Sequence, residues 1–94
     1  MREFYREAKE LERIIKGVSH HRRMEILFSL FEKPNLTLTA LSEKVDSDIR
    51  NTSQHVFKMV GAGLVRKRVY GYTTEHSLTS LGKKVASTLR HFKK

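Results

Sequence analysis

Ninety-four residues give room for one domain, 1–94, with a modest core that gains from a partner subunit. There is no cysteine, which excludes disulfides and thiolate metal sites. No run approaches ~18 apolar residues, and Met1-Arg2-Glu3-Phe4 opens no signal-peptide core, so we expect no membrane contact and a cytoplasmic protein. The net charge is +9, and its placement is uneven. Residues 1–47 carry nine Lys/Arg against eight Asp/Glu, whereas residues 48–94 carry ten against two, Asp48 and Glu75. A half-chain this basic repels itself unless a polyanion accepts it, which points to nucleic acid.

In chain order, Phe4, Ala8, Leu11, Ile15 and Val18 recur in steps of four and three and predict a helix over about 2–17, with Gly17 as its stop. A second helix is expected over about 19–32, capped by Ser19. Its inward stripe is Met24, Leu27, Leu30 and Phe31, broadened by Ile26 and Phe28. After the turn at Pro34, Leu36 can begin a short strand. Thr37 or Thr39 then caps a two-turn helix with Leu38, Leu41 and Val45 inward. Asp46-Ser47-Asp48 is a polar turn, with Ser47 or Asp48 as the next cap. A longer helix over about 48–61 follows, with Ile49, Thr52, Val56, Met59 and Val60 on one face and Gly61-Ala62-Gly63 as its end. Residues 64–78 change to strand character around Tyr70-Gly71-Tyr72 and read as a hairpin. Leu81, Val85, Leu89 and Phe92 place a last helix over about 79–93.

A short helix, a tight turn and a longer helix with a polar outer face make a helix-turn-helix. Arg50, Asn51, Gln54 and Lys58 fall on that outer face. Arginine pairs with guanine and Asn or Gln with adenine. Thr52 and Ser53 are small enough to approach phosphates, and Thr39 opens the preceding helix. In the hairpin, Arg66 and Arg68 share one face and Lys67 takes the other, while Tyr70 and Tyr72 flank the glycine tip. Such a basic hairpin can follow the DNA backbone or enter the minor groove. Phe57 is unexpected on the exposed side, where it can meet the hairpin or a partner.

The run Thr52 to Val65, ending Ala62-Gly63-Leu64-Val65, resembles the recognition-helix signature of ArsR- and MarR-type winged-helix regulators. Arg22-Arg23-Met24-Glu25-Ile26-Leu27 looks like their arginine-led preceding helix, and Leu78-Thr79-Ser80-Leu81-Gly82 is similar to the motif that closes their wing. The resemblance covers residues 19–85. It implies a mainly α winged helix-turn-helix with helical extensions at both ends, and a homodimer on a near-palindromic duplex. It also implies that 2–17 and 79–93 form the dimer interface, that Ser53 and His55 lie near the backbone, and that Arg66 to Tyr72 form the wing. The five histidines lack ligand spacing, so neither metal nor other cofactor is expected. No residue set suggests catalysis, and none identifies a small-molecule effector. The rival reading is a sequence-neutral architectural DNA-binding protein, in which charge alone carries affinity.

Overall fold

Helix–helix packing around the second helix organises the chain. The computed structural model describes residues 2–93. Its elements are α1 (Tyr5–Val18), α2 (His21–Glu32), β1 (Leu36–Thr37), α3 (Leu38–Lys44), α4 (Ile49–Gly61), β2 (Val65–Tyr70), β3 (Thr73–Leu78) and α5 (Ser80–His91). This is a mainly α winged helix-turn-helix with a small antiparallel sheet. The helices α1, α4 and α5 and the strand β3 all touch α2. Ile26, Leu27 and Leu30 of α2 are buried with Leu41 and Val45, with Val56 and Met59 of α4, and with Leu64, Val65 and Leu78. Each such side chain contributes about 1.5–3 kcal/mol when fully buried.

The inward stripe of α2 differs from the expected one. Met24 and Phe31 stay more than a third exposed, and Arg23 takes an inward place beside Ile26. Ser19 is not the cap: the His20 ring accepts the Arg22 N–H at Nδ1, 3.0 Å away. In α1, Gly17 does not stop the helix, which continues to Val18. A Cβ on Gly17 would stand 2.6 Å from the Ala62 Cβ, so the glycine permits close crossing of α1 over the end of α4. Only Gly17 and Val18 of α1 are buried, and Phe4, Leu11 and Ile15 of the expected stripe stay exposed.

The helix-turn-helix is set by its caps. Thr37 Oγ1 accepts the Ala40 N–H at 3.2 Å, and Asp48 Oδ1 accepts the Asn51 N–H at 2.8 Å. Between them Asp46 takes the left-handed region at φ 53°, which lets the chain reverse within two residues. At the other end of α4, Gly63 takes φ 80°. Its N–H bonds to the Val60 carbonyl and that of Leu64 to the Met59 carbonyl, which is a Schellman closure.

The strands pair in the order β1-β3-β2, all antiparallel. Leu36 faces His76, and Val65 to Tyr70 face Leu78 to Thr73 in unbroken register. His76 is buried and its Nδ1 lies 3.0 Å from the Leu36 carbonyl, which pins β1 to β3. Gly71 turns the hairpin at φ 61°. Thr79 then fastens α5 to the α4–β2 junction. Its hydroxyl donates to the Gly63 carbonyl at 2.6 Å and accepts the Gly82 N–H at 3.0 Å, and its own N–H donates to the Leu64 carbonyl.

A Cβ on Gly82 would stand 2.2 Å from the Leu64 carbonyl oxygen, a backbone atom that cannot swing aside. Gly82→Ala is therefore expected to destabilise the fold by about 1–3 kcal/mol, read as a lower urea midpoint. Gly61→Ala, which meets nothing within 4 Å, is the control and should leave the midpoint unchanged or raised.

Candidate nucleic-acid interface

The inner face of α4 fixes what its outer face presents. Thr52, Val56 and Met59 are buried, which turns Arg50, Asn51, Ser53, Gln54 and Lys58 to the surface. Thr52 is not available to a phosphate, because its hydroxyl donates to the Asp48 carbonyl at 2.9 Å inside the core. Ile49, expected inward, is half exposed at the helix start. Asn51 is tied to the cap, its Nδ2 donating to Asp48 Oδ2 at 3.2 Å. The same acid thus caps the helix and orients an amide on its outer face. Phe57 does not pack on the hairpin: it is 72% exposed on the same surface as Gln54 and Lys58.

The wing distributes its residues by strand parity. Lys67 stands opposite His76 and shares a shallow groove with Thr39 of α3 and Tyr72 of the hairpin tip. Thr39 is exposed, and Tyr72 projects wholly into solvent. Arg66 and Arg68, opposite Ser77 and Glu75, lie on the other face. Tyr70 is half exposed beneath the Arg68 guanidinium, 5.6 Å from its ring centre.

His55 departs from the other expected site residues. It is half-buried and turned toward α2, where its ring centre lies 4.5 Å from that of His20 and its Nδ1 lies 3.3 Å from an Arg23 Nη. His21 stacks on His20 at 4.7 Å. Arg22 completes the cluster, donating to Glu25 and to the Val45 carbonyl at the end of α3. The arginine-led start of α2 therefore ties that helix to both halves of the helix-turn-helix. Arginine is always a donor, so the His55 nitrogen facing Arg23 is an acceptor. The His20 nitrogen that caps α2 is an acceptor too. Both contacts require the neutral ring at that position. Both histidines are held below the ordinary imidazole range, first by desolvation and then by neighbouring positive charge. That charge comes from His21, Arg23, Arg22 and Lys58 around His20, and from His20, Arg23, Lys58 and Arg22 around His55.

Residues 20–66 match the family described as winged helix-turn-helix DNA-binding, and the chain belongs to that family. No curated protein matches it in sequence. Among solved structures it is similar to NolR from Sinorhizobium fredii, at 25% identity over 98% of this chain and 92% of that one, with a TM-score of 0.87. A homodimeric winged helix-turn-helix DNA-binding domain from Mycobacterium bovis, a possible ArsR-family transcriptional regulator, superposes with a TM-score of 0.86 at 15% identity, over 99% of this chain and 87% of that one. MepR from S. aureus, solved as a DNA complex, gives a TM-score of 0.75 at 12% identity, over 93% and 75%.

The histidine cluster generates a pH dependence of stability. Because both folded values lie below the unfolded one, the unfolded chain binds more protons and stability rises with pH. The contribution is complete above the ordinary imidazole value and is lost as pH falls toward the folded values. The thermal midpoint should accordingly drop as pH falls from about 7.5 to about 5.5, and His55→Gln should flatten that drop. An equal drop in the variant would remove His55 from the cause.

Proposed function

We propose that the chain is a sequence-specific regulator of transcription that binds double-stranded DNA as a homodimer, with α4 in the major groove. The observation that carries this reading is the outer face of α4. Arg50, Asn51, Gln54 and Lys58 project from a helix whose other side is locked into the core, so base-reading groups stand on a rigid support. Arg50 and Gln54, one turn apart, read base edges, and Asn51 does so when it leaves Asp48. Ser53 and Lys58 grip the backbone. Lys67, with Thr39 and Tyr72 across the same groove, follows the strand that leaves the major groove. His55 serves this reading only through packing, by holding α4 against α2.

The homodimer rests on apolar surface that one subunit leaves open. Phe4, Leu11, Ile15 and Phe92 are more than half exposed. The whole chain then acts as one winged-helix unit whose outer helices α1 and α5 join two copies. The described residues contain no helix long and apolar enough to cross a membrane, so that surface is not a membrane span.

Selection of bound duplexes from a random library tests the reading. A near-palindrome with half-sites about 10 bp apart is the expected result. Recovery of no motif, with affinity collapsing as salt rises, would favour sequence-neutral packaging. Arg50→Ala and Gln54→Ala should each cost about 1–3 kcal/mol of discrimination at one base position. Lys67→Ala should weaken binding to all duplexes and reduce the log–log salt slope by about 0.9. In sedimentation, Ile15→Glu should convert the dimer to a folded monomer, whereas a dimer that survives both Ile15→Glu and Leu11→Glu would place the interface elsewhere.

A further inference from the structure

Strand alternation separates the cations of β2 into two environments. Lys67 looks toward the start of α3, and Arg66 and Arg68 look the other way. On that second face they line a groove of about 430 Å³, which Lys83 of α5 closes from the side. Its accessible apolar lining is Phe31 at the end of α2 and Pro34 just beyond it, over the buried Leu30 and Leu78, and Asn35 and Ser77 add neutral polar groups. The volume falls in the range of small-molecule sites, which combine an apolar lining with a few placed polar groups.

The charges of this groove are unanswered. The ion pairs among the described residues use Glu12, Glu25 and Glu32, and none involves Arg66, Arg68 or Lys83. Glu75 stands opposite Arg68 in the register but makes no ion pair with it. Three like charges around one concavity repel each other, and an acid group placed among them offsets part of that repulsion. Two guanidinium forks suit a carboxylate, which they can hold by paired donors. The Tyr70 ring under Arg68 steadies one of them on this face.

We propose that this groove binds a small organic anion with an acid group on an apolar body. Arg66, Arg68 and Lys83 hold the acid, and the body lies along Phe31 and Pro34. A duplex phosphate is the competing occupant. It is disfavoured because a duplex seated on α4 and Lys67 approaches the opposite face of the hairpin.

The test is an amide-resolved NMR titration of the full chain with sodium decanoate, decanol and inorganic phosphate. Decanoate should give saturable shifts at Asn35, Ser77 and Lys83. Its affinity should fall at least about tenfold in Lys83→Ala and in the Arg66→Gln/Arg68→Gln double variant, with their other resonances in place. Decanol and phosphate, each lacking half of the recognition, should bind at least about tenfold more weakly. Shifts confined to α1 and the end of α5, or an equal response to decanol or phosphate, would overturn the proposal. So would a fall of about 1.8 in the salt slope of duplex binding by the double variant, because that assigns the two arginines to DNA phosphates. An unchanged slope supports the proposal and leaves the DNA reading of α4 and Lys67 to its own test.

Discussion

The peptide between Gly63 and Leu64 is the constraint on which the rest of the structure depends. Within three residues the chain must end α4, begin β2, support α1 and receive α5. Gly63 supplies the left-handed backbone that closes α4, and the Leu64 N–H completes the closure. The carbonyls of the same two residues then accept from Thr79. Two other glycines exist to let helices reach this point: Gly17 against Ala62 and Leu64, and Gly82 against the Leu64 carbonyl. A methyl group at either costs on the order of 1–3 kcal/mol, a sizeable share of a total stability of about 5–15 kcal/mol. The angle between α4 and the wing is thereby set at one junction, far from the residues proposed to touch DNA.

A second constraint acts at the opposite end of α2. Arg23 is 9% exposed and faces an imidazole, and among the described residues it makes no ion pair and its Nε has no partner. Burying a cation this way is costly unless it is paired. What it secures is position. Arg22 reaches the Val45 carbonyl just past α3, Arg23 reaches His55 in the middle of α4, and the His20 ring caps the helix that carries both arginines. Two of these three contacts have acceptors that exist only while His20 and His55 are neutral, whereas the Val45 carbonyl accepts Arg22 whatever their charge. Stability and the placement of α4 are therefore coupled through the same few atoms.

How much of this was legible in the sequence follows from the range of each interaction. Helices α3, α4 and α5 were legible to within two residues at each end, because each has a local cap and a stripe on one side. In the stripe of α2, Leu27, Leu30 and Ile26 are buried as expected, whereas Met24 and Phe31 are not. That helix is covered on several sides, and the order of Ile26, Leu27, Phe28 and Phe31 does not say which side stays open. Ser19 was the better cap by type, yet the imidazole of His20 filled the place. The outer face of α4 is readable from helical period alone, apart from Ile49, which the period places inward and the structure leaves half exposed; the resemblance, not the period, misplaces His55. That residue lies beside Val56 in sequence, and only the packing of α2 decides which way it turns. The alternation of Arg66, Lys67 and Arg68 was also readable, but not what each face meets. The short strand expected at Leu36 is present, but its pairing with β3, the Thr79 bonds and the close approach of Gly82 join residues distant in sequence, and no periodicity reports them.

Where the charge lies bears on the proposed discrimination among duplexes. The second half of the chain carries ten cations, which in sequence look like one footprint. The fold disperses them. Arg50 and Lys58 stand on α4, Lys67 on the inner face of the wing, Arg66, Arg68 and Lys83 around the rear groove, and Arg90 on α5 over Phe28 and Phe31, paired with Glu32. Screening at physiological salt acts over about 8 Å, so cations on faces turned away from a duplex add little to its binding. A protein relying on charge alone would be expected to gather these residues on one surface. Here the outer face of α4 holds two cations beside two amides. That is too few charges to bind any sequence tightly, and on the proposed reading base contacts must supply the difference. The proposed dimerisation has the same logic, because two copies would double a contact set that one short helix cannot enlarge.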